Sequence, residues 1–309
     1  MILCCGEALI DMIPRTLADG TACFVPCSGG AVFNTSIALG RLDAHVGMLT
    51  ALSTDMFGQQ LVTDLRASNV ATGAILRSDH PSTLAFVQLV EGDASYAFFD
   101  AQSAESQLRP SDVPALPPET SALYFGGISL AREPSGDFYA ALATGHGADL
   151  PIMIDPNIRK GFVQDEAAYR ARLQRMMDVA NIVKVSHEDA AWLMPEAGSD
   201  AERRTYLGGG NDKIIVITRG GQGATAWLPD GTQVDVPAGR AEVVDTVGAG
   251  DTFNAGFLSA LHEQGVLGPK ALATLSADQL HQALTKAAKV AAITVSRVGA
   301  DPPWATELA

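Results

Sequence analysis

The sequence predicts an α/β fold in which a mostly parallel central sheet is covered by helices on both faces. Short apolar runs recur at residues 1–9, 46–52, 122–125, 152–155, 182–185 and 213–218, separated by stretches with helical periodicity, the pattern of strands buried on both sides. Several runs end in glycine or a polar residue, as in Tyr124-Phe125-Gly126-Gly127, Ile154-Asp155-Pro156-Asn157 and Val185-Ser186-His187-Glu188. Ligands of open α/β sheets sit beyond the carboxyl ends of the strands, so these junctions are the places to look for a site. One region departs from the alternation. Residues 83–90 and 94–99 flank Glu91-Gly92-Asp93 and read as an antiparallel hairpin rich in aromatics (Phe86, Tyr96, Phe98, Phe99). Such a flap closes over a ligand, pairs with a second copy in a dimer, or packs as an ordinary hairpin on the core.

Length and composition set the outer limits. The 309 residues suffice for one large α/β domain, with or without a small appendage, and 47% apolar against 18% charged residues describes a globular chain. With 21 basic and 35 acidic residues the formal charge is −14, which argues against a sequence-independent grip on nucleic acid or an anionic membrane. No apolar run approaches membrane-spanning length.

Residues 1–13 are apolar but contain Glu7 and Asp11 and lack a basic leader, so they read as a buried first strand with Asp11 at its end, not as a signal peptide. A cytoplasmic protein is expected. All four cysteines, Cys4, Cys5, Cys23 and Cys27, lie in the first 27 residues. A zinc site is rejected, because Cys4 and Cys5 are adjacent on a strand and project to opposite faces, with no histidine nearby in sequence. Next comes Cys27-Ser28-Gly29-Gly30-Ala31-Val32-Phe33-Asn34, leading into an amphipathic helix. Paired glycines permit close approach of a small ligand, Asn34 offers donor and acceptor to a hydroxyl, and a plain turn is the competing account.

The most informative stretch is Asp245-Thr246-Val247-Gly248-Ala249-Gly250-Asp251-Thr252. A tight turn feeds a helix opening at Asp251, exposing unpaired N–H groups at the positive end of the helix dipole. Gly248, Ala249 and Gly250 have almost no side chain, so a phosphate can approach the backbone. A carboxylate is poorly suited to binding phosphate, but Asp251 suits a general base that takes the proton of an attacking hydroxyl. The bland reading is an N-cap aspartate. A last long helix starts at the capping signal Ser276-x-x-Gln279.

Together the two glycine clusters resemble the two signatures of the ribokinase/PfkB carbohydrate kinase superfamily, and the likeness extends over essentially the whole chain, including Gly6-Glu7-Ala8-Leu9-Ile10-Asp11 and Thr218-Arg219-Gly220-Gly221-Gln222-Gly223. Three segments, 155–159, 183–189 and 296–304, look most like the fructokinase branch. The resemblance implies one ribokinase-like domain over residues 1–309, with a small β lid from about 12–27 and 83–100. It implies Asp251 as catalytic base and Gly248, Ala249 and Gly250 as anion hole. Arg159 is placed near substrate and phosphates, with a surface ion pair as its alternative. Asp11, Gly29, Gly30, Asn34, Phe98 and Asn157 fall on the sugar side; Lys184, Ser186, Thr218, Gly220 and Gly223 fall on the nucleotide side.

The cofactors implied are ATP, magnesium and a monovalent cation such as potassium. Glu188 and Asp189 are assigned indirectly to magnesium, where the superfamily's Asn-x-x-Glu element stands here as Ser186-x-x-Asp189. The monovalent cation is assigned to Asp245, Val247, Arg297 and Gly299. The partners expected are a small sugar and ATP, with neither nucleic acid nor membrane, and a homodimer through the lid. The similar 2-keto-3-deoxygluconate kinases tend to carry a basic residue after the flap aromatics; this chain has Asp100, whose repulsion of a sugar acid favours a neutral ketose.

Three other readings compete with this one. Gly221-Gln222-Gly223-Ala224-Thr225-Ala226 has a dinucleotide fingerprint's glycine spacing, but a strand and turn follow it where a helix is required. A sugar-binding regulator on the same scaffold need not keep Asp251 or the anion hole. Among kinases, 2-keto-3-deoxygluconate, ribose and nucleoside kinases are the alternatives to a fructokinase.

Overall fold

A computed structural model describes residues 1–90, 93–209 and 213–308. Its strands are β1 (Ile2–Cys5), β2 (Leu9–Thr16), β3 (Ala22–Gly29), β4 (Val46–Leu49), β5 (Ala51–Ser53), β6 (Leu76–Ser78), β7 (Leu84–Val90), β8 (Asp93–Phe99), β9 (Ala122–Gly126), β10 (Ile152–Asp155), β11 (Ile182–Ser186), β12 (Ile214–Thr218), β13 (Ala224–Trp227) and β14 (Gln233–Val236). Its α-helices are α1 (Ala31–Arg41), α2 (Met56–Ala67), α3 (Ser135–His146), α4 (Glu166–Val179), α5 (His187–Leu193), α6 (Asp200–Gly208), α7 (Ala249–Glu263), α8 (Pro269–Leu272) and α9 (Ala277–Val295).

Eight strands form the central sheet in the order β14-β13-β12-β11-β10-β9-β1-β4. From β4 to β12 every neighbour is parallel; β13 and β14 add antiparallel pairs at one edge. Alternation along each strand divides the core into two layers. Ile2, Cys4, Tyr124, Met153, Ile182 and Val216 pack with α1, α7 and α9, whereas Leu3, Cys5, Phe125, Ile154, Val183 and Ile217 pack with α3, α4, α5 and α6. Cys4 and Cys5 therefore do project to opposite faces. The strand and turn expected after Gly223 are β13 and the residues following it, so the glycines there open no α-helix.

Two apolar runs break where the sequence shows continuity. Residues 1–9 do not form one strand: β1 stops at Cys5, and Leu9 already belongs to β2, in a different sheet. Between them the Glu7 carboxylate turns inward, accepting from Ala31 N (2.9 Å) and Ser129 N (3.2 Å). Asp11 is thus the third residue of β2, not the end of the first strand. Likewise the 46–52 run divides at Thr50 into β4 and β5, the latter pairing with β6 in a small parallel sheet.

The hairpin is not packed as a layer of the main core. A four-stranded sheet, β3-β2-β7-β8, combines it with the N-terminal strands; β2 pairs antiparallel with β3, parallel with β7, and β7 antiparallel with β8. The expected turn residues Glu91 and Gly92, and the side chain of Tyr96, lie outside what is described. On one surface Phe24, Phe86 and Phe99 meet edge to face at 5.1 and 5.3 Å between centroids, with Phe24 and Phe99 exposed. Among the described residues no helix is long and apolar enough to cross a membrane.

Candidate active site

Two adjoining cavities of about 550 and 590 Å³ open at the carboxyl ends of the central strands and share Thr218, Gly220, Thr246, Ala249 and Gly250 as a common wall. The first runs from that wall to the four-stranded sheet; the second is an apolar chamber between the 238–243 loop, Phe253 and the Ala288, Ala291 and Ala292 face of α9. Both lie in the size range of small-ligand sites.

The floor of the first cavity is the start of α7, which begins earlier than the sequence reading had it. Gly248 is the N-cap, with φ 78°, and a Cβ there would stand 2.6 Å from that of Ala300. Only glycine takes this left-handed turn so close to the neighbouring loop. Asp251 is consequently in the first helical turn, and among the described residues its carboxylate accepts from side chains and from no backbone N–H, which removes the N-cap account. The N–H groups of Gly248, Gly250 and Asp251 have no hydrogen-bond partner among the described residues, whereas Ala249 N donates to Thr246 O at 3.3 Å. Free N–H groups at a helix N-terminus form an anion cradle, and the cavity lies in front of them.

Asp251 is 6% exposed. Its Oδ2 accepts from Asn34 Nδ2 at 2.9 Å and its Oδ1 from Asn157 Nδ2 at 3.4 Å. Asn157 reaches it because the backbone after β10 turns through φ 44°, a conformation asparagine tolerates better than most residues. Burial pushes the Asp251 carboxyl up to about 7; nearby Asp155 and Glu7 add to this while the Asn34 hydrogen bond and Lys184 oppose it. A carboxyl with its pKa near neutrality, facing a cavity, has the properties of a general base.

On the lid side the cavity is lined by Asp11, Gly30, Asn34, Phe98, Asn157 and Phe162. Gly29 stands behind Asp11: a Cβ on it would lie 2.2 Å from Asp11 Oδ2, so the glycine leaves the space that carboxylate occupies. Burial raises the Asp11 carboxyl to about 6. Phe98 packs edge to face on Phe162 at 4.2 Å, and Arg132 stacks over Phe162 at 4.7 Å while pairing with Asp100. This pairing corrects the charge argument drawn from Asp100: its carboxylate is neutralised by Arg132 and does not line the cavity, so it gives no reason to exclude a sugar acid.

Toward the phosphate end, Lys184, Ser186, Glu188, Asp189, Thr218 and Gly220 line the same cavity, as does Arg159, and Gly223 lines the second chamber. Arg159 is exposed, donates to Ile158 O at 3.2 Å and has no ion-pair partner among the described residues, contrary to its surface-pair alternative. The Ser186 hydroxyl caps α5 by accepting from Asp189 N at 3.0 Å. Asp189 accepts from Ile158 N at 3.1 Å, and burial followed by neighbouring Asp155 raises its carboxyl to about 6.

Val247 lines the cavity, but Asp245, Arg297 and Gly299 stand outside it. The Asp245 carboxylate instead fastens two loops, accepting from Val247 N at 3.0 Å and Gly299 N at 2.9 Å. Arg297 pairs with Asp301 and Glu307.

Four residues of the site were not singled out from sequence. Glu7 and Asp155 line the cavity, and Tyr124 and Asn254 connect to Asp155 beneath it. An isolated buried-type carboxylate at a strand end, as in Ile154-Asp155, is the one signal that could have marked Asp155.

The geometry agrees with comparisons across known proteins. The chain is 45% identical over 280 residues to a fructokinase of Rhizobium leguminosarum bv. trifolii, covering 91% of this chain and 85% of the relative. It is 30% identical to fructokinase-1 of Oryza sativa subsp. japonica, over 100% of this chain and 95% of that one. The crystal structure of a fructokinase with bound ATP from Xylella fastidiosa superposes with a TM-score of 0.87 at 26% identity, covering 97% and 93% of the two chains. Residues 1–307 match the pfkB family carbohydrate kinase profile, and the chain belongs to that family of ATP-dependent sugar kinases.

Proposed function

We propose that this protein is a fructokinase, transferring the γ-phosphoryl group of ATP to a hydroxyl of a neutral ketose, fructose foremost, in the cytoplasm. The observation that carries the mechanism is the position of Asp251, a buried carboxylate between the lid-side hydroxyl partners Asp11 and Asn34 and the unpaired N–H groups of Gly250 and Asp251. The sugar oxygen attacks the γ-phosphorus, its proton passes to Asp251, and the bond from that phosphorus to the bridging oxygen breaks, releasing ADP. Backbone N–H groups of the 248–251 turn and Arg159 receive the charge on the transferring group. The second chamber takes the adenine base between the 238–243 loop and α9.

Magnesium fits the phosphate end. Asp155 Oδ1 is a buried oxygen with no hydrogen-bond partner among the described residues, and the carboxylates of Glu188 and Asp189 line the same space, a hard-oxygen set suited to a hydrated divalent cation. When bound, the ion neutralises phosphate charge. We place a monovalent cation, potassium, between the 245–247 and 297–299 loops that Asp245 fastens together. The chain acts as one domain over residues 1–309 with the four-stranded sheet as lid, and the Phe24–Phe86–Phe99 surface of that lid, exposed at Phe24 and Phe99, meets a second copy.

Substrate identity is tested by ATP- and magnesium-dependent ADP release with fructose against other ketoses, aldoses, 2-keto-3-deoxygluconate and nucleosides. Fructose is expected to give the highest kcat/KM. A sugar acid or nucleoside exceeding it would replace the substrate.

A further inference from the structure

Two aromatic rings on the lid side of the cavity are tied together by a cation that stands outside it. Phe98 lies on β8 of the lid and Phe162 in the segment between β10 and α4, so the two rings come from different parts of the fold. Both line the cavity, and they meet edge to face at 4.2 Å between centroids. Arg132 does not line the cavity, yet it reaches both walls. Its guanidinium carbon stands 4.7 Å from the centroid of Phe162, and its other partner is Asp100, two residues beyond Phe98 in the chain. One cation thus holds the Phe162 ring directly and the end of the lid strand through a carboxylate.

The placement is costly enough to ask for a reason. The Arg132 and Asp100 side chains are 18% and 10% exposed, so both charges have lost most of their water, and an ion pair in that setting adds little net stability. Arg132 Nε is buried with no hydrogen-bond partner among the described residues, so the guanidinium gives up one bond to stand where it does. Its mounting is firm. Arg172 of α4, with a side chain 2% exposed, clamps the segment on both sides of Arg132 by donating to Leu130 O at 3.1 Å, Glu133 at 2.7 Å and Asp137 at 3.0 Å. The pull of a cation on an aromatic face grows as both are withdrawn from water. Apolar and aromatic side chains supply most of the contact area of a small-ligand pocket, so the spacing of these two rings decides how closely a sugar is held.

We propose that Arg132 is a positioning residue for the sugar: through the Phe162 ring and through Asp100 at the end of β8 it locks the two aromatic walls at the spacing the substrate fits. This rests on the phosphotransfer reading. Arg132 touches neither sugar nor phosphate, and it acts on sugar affinity while leaving the nucleotide side and the chemical step alone.

The KM of the sugar that wild type turns over best, the KM for ATP, kcat and calorimetric sugar affinity test it together. Arg132→Met keeps much of the side-chain length and removes the charge. It should raise the sugar KM and Kd about tenfold, with kcat and the KM for ATP within about twofold of wild type. Arg132→Lys keeps a cation and should recover part of the loss. In a Phe162→Leu background, where the ring is absent, Arg132→Met should cost less than it does in wild type. Because Arg132→Met leaves Asp100 largely buried and unpaired, the double variant Arg132→Met/Asp100→Asn separates folding from positioning: it should regain Tm and keep the high sugar KM. An unchanged sugar KM in Arg132→Met, an equal rise in the KM for ATP, an undiminished cost in the Phe162→Leu background, or return of the sugar KM together with Tm in the double variant would each overturn the proposal. Wild-type protein that binds a sugar but phosphorylates none would instead refute the phosphotransfer reading, and the calorimetric comparison of variants would still decide the role of Arg132.

Discussion

Replacing Gly29 with alanine adds one methyl group and aims it at a single atom. Gly29 ends β3 with a backbone outside the left-handed region, so alanine brings no conformational strain there. The new Cβ would stand 2.2 Å from Asp11 Oδ2 and 3.3 Å from its Cγ, while Leu9 Cδ1, at 3.7 Å, remains at ordinary contact. Contact begins near 3.4 Å, so the carboxylate must retreat by roughly 1 Å, and displacements of that size in a positioned group cost up to about a hundredfold in rate. The expected loss in kcat/KM for fructose is therefore about 10- to 100-fold, or about 1.4–2.7 kcal/mol. It should leave the KM for ATP and the melting temperature nearly unchanged, because the clash is relieved by turning one flexible side chain. Coupled ADP-release assays, titrating each substrate against saturating partner, measure both constants. A fructose kcat/KM equal to wild type would refute the assignment of Asp11 as a sugar ligand.

Two further predictions use the raised carboxyls. Asp251, held at about 7 chiefly by burial, is active as the carboxylate, so kcat at saturating substrates should climb about tenfold per pH unit below neutrality and level off above it; a flat profile between about pH 5.5 and 8 would contradict its role. Glu105 is buried and pushed up to about 8, first by burial and then by Glu7. Its folded pKa exceeds its unfolded value, so the stability present below the ordinary carboxyl range is lost as pH rises through 8. Glu105→Gln lacks that loss, and thermal scans should show its Tm gaining on wild type between pH 6 and pH 9; a constant gap would show that Glu105 ionises as freely in the native protein as in the unfolded chain.

The parallel sheet was legible because buried strands need uninterrupted apolar runs, and the 152–155 and 182–185 runs fall within a residue of β10 and β11. The division of residues 1–9 was not. Glu7 interrupts β1 by turning its carboxylate onto N–H groups of α1 and Ser129, and Ser129 lies 122 positions away. Local pattern has no access to such a partner. The same holds for the hydrogen bonds around Asp155 beneath the cavity: Lys184–Asp155, Asn254–Asp155 and Asn254–Tyr124 span 29, 99 and 130 residues. The turn at 248–251 was readable, since an anion-binding helix start is a local feature written in glycine and alanine, yet the helix begins at Ala249 and the role of Gly248 as N-cap moves Asp251 from cap to cavity floor. Asp100 shows the opposite error. Its charge was read in isolation, and the paired Arg132 comes from the segment after β9.

The most direct test of the account is the single substitution Asp251→Asn, which keeps the shape of the side chain and removes its capacity to accept a proton. Turnover of fructose with ATP and magnesium should fall at least about a hundredfold while calorimetric ADP affinity stays within a few-fold of wild type. Near-normal turnover by Asp251→Asn would remove the carboxylate from the base role and contradict the mechanism built around it.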